Sequence, residues 1–214
     1  NGVPVTIDAT AAGYTAPATK LAVNVVNPTL TINGLNGNRS TERGRDDFYI
    51  SLSTPGAYYS GSQTAAVDLP IAVSIVGDAP SGLVPGFHSA STGGSAVTQA
   101  VVSAGSTNSS NAYTYVDTPT AAGSYQVKAA IAGGNSSTSA VQSVAAPDLR
   151  FSTPNGTLTV GKGLNSYSQE VYVYRTVNGT NLNGTSALTV NLTSSDASKA
   201  NVPATVTIPA GQYR

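Results

Sequence analysis

Apolar and polar residues alternate with a period of two through several short stretches of this chain. Examples are Lys20-Leu21-Ala22-Val23-Asn24-Val25, Phe48-Tyr49-Ile50-Ser51-Leu52, Ile71-Ala72-Val73-Ser74-Ile75 and Val171-Tyr172-Val173-Tyr174. Successive side chains of a strand point to opposite faces, so this period predicts half-buried strands, whereas the three-to-four spacing of an amphipathic helix is almost missing. Between these stretches stand clusters such as Asn33-Gly34-Leu35-Asn36-Gly37 and Ala132-Gly133-Gly134-Asn135, which break strand and helix alike and mark turns. Many short strands separated by turns predict an all-β sandwich or barrel.

The pattern repeats. Thr10-Ala11-Ala12-Gly13-Tyr14 is matched with Thr120-Ala121-Ala122-Gly123-Ser124-Tyr125, and each copy leads into alternating strands and a proline junction, Val25-x-x-Pro28-x-Leu30-x-Ile32 or Val144-x-x-Pro147-x-Leu149-x-Phe151. Proline has no N–H to donate to a ladder, so it ends one set of strands before the next begins. Further in, Leu69-Pro70-Ile71-Ala72-Val73-Ser74-Ile75, leading to Asp78 and Val84-Pro85, parallels Leu188-Thr189-Val190-Asn191-Leu192, leading to Asp196 and Val202-Pro203. Val102-Ser103-Ala104-Gly105-Ser106 then parallels Ile208-Pro209-Ala210-Gly211-Gln212. The expected organisation is closing strands over 1–27, one complete domain over 28–146 and the first part of a further domain over 147–214. Ile71, Val73 and Ile75 should face the middle core, with Tyr125 and Val127 on a late strand.

The stretch Leu188-Thr189-Val190-Asn191-Leu192-Thr193-Ser194-Ser195-Asp196, with Asn201-Val202-Pro203-Ala204-Thr205-Val206-Thr207-Ile208-Pro209-Ala210-Gly211-Gln212, resembles the bacterial immunoglobulin-like domains of surface-layer proteins, giant adhesins and multidomain exoenzymes. Ala11-Ala12-Gly13-Tyr14-Thr15 is similar to the segment before the last strand of that family. The resemblance implies tandem antiparallel immunoglobulin-like sandwiches that act as spacers or packing modules, and it carries over no catalytic residue. The function it implies is structural, a segment of a surface layer, fibre or stalk located extracellularly or at the cell surface. Two alternatives stay open: an adhesin module binding carbohydrate or a host surface, and a spacer of a secreted exoenzyme.

Composition narrows this further. Only 9% of residues are charged, against roughly 25% in an average soluble domain, and ten basic residues balance ten acidic ones. Such a chain has no net field to gather nucleic acid, so no nucleic-acid partner is expected. Cysteine is absent, which excludes disulfides and thiolate metal sites. Methionine is absent too, and the expectation is that Asn1 lies inside a longer precursor. No apolar run reaches the about 20 residues that span a bilayer. The expected partners are copies of the chain itself or adjacent repeats of the same precursor: the chain is expected to be a window from a longer tandem array, and completion of the 147–214 unit by residues 1–27 of another copy, or a proteolytic fragment ending at Arg214, are the alternatives.

Candidate chemistry is sparse. The single histidine, His88, lacks a second imidazole for a metal site and reads as an ordinary loop or strand residue, and no enzyme activity is expected. Six of the charged residues cluster as Arg39, Glu42, Arg43, Arg45, Asp46 and Asp47. They read as a solvated loop of compensating charges, or as an assembly contact through Arg39, Glu42, Arg43 and Arg45. No cofactor is expected, although Asp46 and Asp47 are candidate calcium ligands at a domain junction. Asn-x-Ser/Thr triplets begin at Asn38, Asn108, Asn135, Asn155, Asn178, Asn183 and Asn191. Tyr58, Tyr59, Tyr113, Tyr115, Tyr125, Tyr167, Tyr172 and Tyr174 read as strand packing residues, with carbohydrate stacking as the lesser option.

Overall fold

A computed structural model describes residues 4–56, 63–77, 86–153, 156–162 and 171–214. The fold is all-β, with 41% of the described residues in strands and 1% in helix. Asp78, Val84, Pro85, Tyr58, Tyr59, Tyr167 and Asn155, singled out above, lie outside the described residues.

The chain begins with β1 (Pro4–Ile7) and β2 (Leu21–Asn24), an antiparallel pair with Val5 opposite Val23 and Ile7 opposite Leu21. Strands β3 (Thr29–Asn33), β5 (Asp46–Ser53), β9 (Thr114–Val116) and β7 (Phe87–His88) then make one sheet in that order. A second sheet runs β4 (Asn38–Ser40), β12 (Gln142–Ala145), β10 (Gly123–Ala130), β6 (Leu69–Val76), β8 (Gln99–Val102), and β11 (Ser136–Thr138) also pairs with β10.

The two sheets share one interior. Leu30, Phe48, Ile50, Phe87 and Val116 from the first meet Ile71, Val73, Val102, Tyr125, Val127 and Val144 from the second. Alternation explains the choice: in β6, Ile71 and Val73 are buried while Pro70, Ala72 and Ser74 face out. Ile75 is only partly buried but packs against the same cluster, and Tyr125 and Val127 lie inward on β10 as expected. Phe48 and Phe87 meet edge to face at 6.0 Å, a geometry the ring quadrupoles favour.

The expected all-antiparallel arrangement needs one correction. β4 pairs with β12 in parallel, Arg39 opposite Val144. The chain leaves β5's sheet after β3 and crosses at Asn33–Gly37 to the edge of the other sheet. Gly34 makes this possible: its φ of 100° is in glycine's range, and a Cβ there would lie 3.0 Å from the Asp47 carbonyl oxygen.

Beyond the Pro147 junction, β13 (Asp148–Phe151), β14 (Val173–Val177) and β15 (Thr180–Asn181) form a three-stranded sheet, and β16 (Leu188–Asn191) pairs with β17 (Thr205–Ile208). β14 turns into β15 through Asn178-Gly179, both at positive φ (48° and 75°). That is the mirror-image turn whose twist matches a hairpin.

One repeat is visible in the registers themselves. Leu69 faces Val102 in β6–β8 as Leu188 faces Ile208 in β16–β17, and Ile71 faces Ala100 as Val190 faces Val206. Each strand pair leads into the same turn, with Ser106 N–H donating to Ser103 O (3.0 Å) and Gln212 N–H to Pro209 O (3.1 Å), and with Gly105 and Gly211 at φ of 79° and 75°.

The other repeat has to be moved. Gly13 (φ 81°) sits in a turn where Tyr14 N–H donates to Ala11 O, and its structural match is the Gly133 turn (φ 66°), where Gly134 N–H donates to Ile131 O. Gly123, matched to Gly13 by sequence, instead opens strand β10. The shared Ala-Ala-Gly letters therefore mark two different places in the fold.

Candidate functional site

The charged cluster lies on β4, on the loop after it and at the start of β5, and it is not a solvated loop. Arg39 is 1% exposed. Its Nη2 donates to Gly44 O (2.9 Å), and its Nη1 stands 3.7 Å from Asp46 Oδ1. Asp46 also accepts the Asn36 N–H at 2.8 Å. Burial raises the Asp46 carboxyl above its ordinary value; the Asn36 N–H and the Arg39 charge offset only part of that. The Tyr125 hydroxyl lies in the field of both groups without a hydrogen-bond partner of good geometry, and burial pushes its pKa up.

Asp47, the next residue along β5, points to the opposite face and is exposed. The two carboxylates proposed for calcium therefore diverge. Among the described residues no group of three His, Cys, Asp or Glu side chains is placed to hold a metal ion.

Arg45 and His88 share one carboxylate. Arg45 Nε donates to Asp117 Oδ1 and His88 Nε2 meets Asp117 Oδ2, both at 2.8 Å, while Arg45 Nη1 also reaches the carbonyls of Ala90 and Gly93. Partial burial works to raise Asp117, but the hydrogen bonds and charges of Arg45 and His88 outweigh it and hold the carboxyl below its ordinary value. His88 is thus a strand residue tied to a neighbour. Its partnership with Asp117 could not be read from a spacing of 29 residues.

Glu42 faces the other way. Its carboxylate lies 3.1 Å from Nη1 of Arg175, a β14 side chain that is 1% exposed, and its carbonyl accepts the Thr185 N–H at 3.1 Å. Arg175 Nη2 also donates to Ser186 O (3.1 Å). Gly184 leaves room for this guanidinium: a Cβ there would overlap Nη1 and lie 2.5 Å from Cζ. Of the residues named as an alternative assembly contact, Arg39, Glu42 and Arg45 make the intrachain contacts above, and Arg43 donates to Asn38 O at 3.1 Å. What the cluster joins is the central sandwich to the 147–214 unit.

Asn135 adds a stitch at the first junction. Its Nδ2 donates to the carbonyls of Asn27 and Pro28 (3.2 and 3.0 Å), so this triplet asparagine is a structural tie.

The 147–214 unit carries an open apolar groove of about 780 Å³ between its two sheets, lined by Phe151, Val171, Val173, Leu192, Val202 and Val206 among others. Tyr172, which also lines the groove, meets Tyr174 edge to face (6.5 Å), and Tyr174 stacks on Tyr213 (5.8 Å). Arg150 lies 4.3 Å over Tyr174, and Arg214 lies 4.6 Å over Tyr172. Guanidinium groups therefore occupy ring faces on which a sugar would have to stack.

No helix among the described residues is long and apolar enough to cross a membrane. No protein-family model matches the chain, and no curated protein matches it.

Proposed function

We propose that this chain is a non-catalytic structural protein of the cell surface or extracellular matrix, built from tandem immunoglobulin-like sandwiches. The observation that carries the reading is the recurrence of one antiparallel strand pair and turn, β6–β8 with Ser103–Ser106 and β16–β17 with Pro209–Gln212, in the same register. A module repeated with its core register kept, and joined to its neighbour through Glu42 and Arg175, is what a stiff array requires.

The sheet orders support the immunoglobulin-like part. β3, β5, β9 and β7 take the places of strands A, B, E and D, and β12, β10 and β6 those of G, F and C. One departure stands: β8, beside the C position, follows the D-position strand β7 in the chain rather than preceding it.

Immunogold labelling of intact, unpermeabilised source cells tests the role. Label confined to a surface layer, fibre or matrix is expected. Label confined to the cell interior would overturn it.

A further inference from the structure

We infer that Tyr49 and Tyr113 are a site of oxidative modification, at which hydrogen peroxide, used by a haem peroxidase, joins the two rings into a dityrosine crosslink within one chain. The inference goes beyond the structural role proposed above. It stands on the geometry of one side-chain pair and on what the sequence leaves for an oxidant to attack.

Both tyrosines lie on the outward face of the β3–β5–β9–β7 sheet. Phe48 and Thr114 form a ladder pair and both are buried, so the residues beside them, Tyr49 and Tyr113, turn the other way. Their rings meet edge to face, with 5.8 Å between centroids and 87° between planes. Tyr113 is 38% exposed, so an oxidant reaches it from solvent and its ring can turn about its side-chain bonds until the two ring edges meet.

The chain contains no cysteine, methionine or tryptophan. Sulfur side chains ordinarily take up an oxidant first, and indole is the easiest ring to oxidise, so in this chain one-electron oxidation falls on the phenols. Each phenol gives up an electron and its hydroxyl proton to the peroxide, whose O–O bond breaks as two waters form. The two phenoxyl radicals carry spin on the ring carbons ortho to oxygen, and a carbon–carbon bond forms between one such carbon of each ring. The two ortho hydrogens then move to the oxygens, which restores both phenols. Two tyrosines and one hydrogen peroxide thus give one dityrosine and two waters.

Charge separates this pair from the other close pair of rings. Tyr174 and Tyr213 stand at the same 5.8 Å, but Arg150 lies 4.3 Å over Tyr174 and Arg214 lies 5.9 Å from the centre of Tyr213. A guanidinium over a ring opposes the positive charge that develops as an electron leaves. Beside Tyr49 the sign is reversed: Asp47, two residues earlier on the same outward face of β5, is an exposed carboxylate. Tyr49 and Tyr113 are therefore the reactive pair, and Tyr174 and Tyr213 the shielded one. A bond between positions 49 and 113 ties β5 to the segment that enters β9. By chain entropy, closing a loop of that length lowers the unfolding equilibrium constant about 1,000-fold, the effect a disulfide would have in a chain that had cysteine.

The test treats the whole folded chain, in dilute solution, with hydrogen peroxide and a haem peroxidase, and follows dityrosine fluorescence, intact mass and peptide maps. The expected product has the mass of one chain less two hydrogens, with one linked peptide pair that joins the Tyr49 and Tyr113 segments. Tyr49→Phe and Tyr113→Phe should each remove that linked pair, and Tyr174→Phe should leave it in place. In urea the coupled chain should unfold with an equilibrium constant about 1,000-fold smaller than that of the untreated chain. Fluorescence undiminished in both of the first two variants overturns the inference, as do crosslinks that map to Tyr174 and Tyr213 in place of Tyr49 and Tyr113. Products linked only from chain to chain, or a urea midpoint that coupling does not raise, overturn it equally.

Discussion

Gly184→Ala is the sharpest perturbation of the joint between the central sandwich and the 147–214 unit. Gly184 does not have a positive φ, so alanine costs nothing in backbone strain, and the effect is one of space. The added methyl would overlap Arg175 Nη1, which has to leave. Eviction breaks the ion pair with Glu42 and the hydrogen bond to Ser186 O. Splitting a fully buried pair costs about 3–5 kcal/mol. Because the Glu42 side chain is 35% exposed, solvent screening reduces that to about 1–3 kcal/mol, and the lost Ser186 bond adds about 1 kcal/mol.

The assay is hydrogen exchange of Thr185, whose amide crosses the joint to Glu42 O, and of two amides beside it within the 147–214 unit, Leu182, which donates to Arg175 O, and Gly211, which donates to Gly184 O. A loss of about 2–4 kcal/mol corresponds to protection falling by about 30-fold to 800-fold. Amides of β6 and β10 in the central sandwich should be unchanged. Arg175→Ala combined with Gly184→Ala removes the group that clashes, so the double variant should be no worse than Arg175→Ala alone. Unchanged Thr185 protection in Gly184→Ala, or strictly additive effects in the pair, would refute the reasoning.

Tyr125→Phe should leave stability at neutral pH within about 1 kcal/mol, since the hydroxyl it removes is buried without a good partner. The folded-state phenol titrates above its unfolded value of about 10, so it contributes stability below that pH that is lost as pH rises through the folded value. The variant's alkaline unfolding limb should accordingly be flatter, read by circular dichroism between pH 9 and pH 12. Asp117 has the opposite sign: its depressed carboxyl contributes stability above its ordinary range, lost as pH falls through the folded value. Asp117→Asn should cost about 0.5–1 kcal/mol at pH 7, a figure reduced for the 36% exposure of that side chain, and the difference from wild type should vanish in acid. Arg39→Met with Asp46→Leu, changed together, should be neutral or stabilising by about 1–4 kcal/mol in urea unfolding, because burial already outweighs the attraction between the two charges; Arg39→Met alone, which strands Asp46, should be clearly worse than the pair.

The all-β class and the inward residues of β6 and β10 were legible because alternation records which face of a strand is dry. Register was legible where the repeated stretch contained a whole hairpin, as in 188–212. It failed at Ala-Ala-Gly, because three small residues serve equally well before a strand and in a turn, and only the backbone tells them apart. Asn178-Gly179 makes a hairpin turn, but Asn-Gly also occurs at 33–34, 36–37 and 183–184, so the dipeptide alone does not single it out, and the sequence reading treats Asn178 only as the start of an Asn-x-Thr triplet. The charged cluster was found by composition, but its placement was not. A run such as Arg39 to Asp47 reads as a solvated loop as long as nothing indicates that Tyr125, Asp117 and Arg175 meet it, and those partners lie 70 to 140 positions away.

That placement explains why a chain with so few charges concentrates them here. After β3 the backbone changes sheets, and β4 joins the far edge as the only parallel pair among the described strands, three residues long. A parallel pair of that length is weak, and a slip by one residue would turn every side chain of β4 to the other face. Arg39 opposes such a slip. In register, its guanidinium reaches Gly44 O and Asp46 inside the sandwich; out of register it leaves Asp46 buried and unpaired. Since burial raises the Asp46 carboxyl despite its partners, the pair contributes little net stability and serves to hold β4 in place. The position of β4 in turn sets the loop that follows it, and that loop delivers Glu42 to Arg175. A slip at Arg39 would therefore undo the joint as well, so the charges inside the central sandwich fix where the next unit attaches.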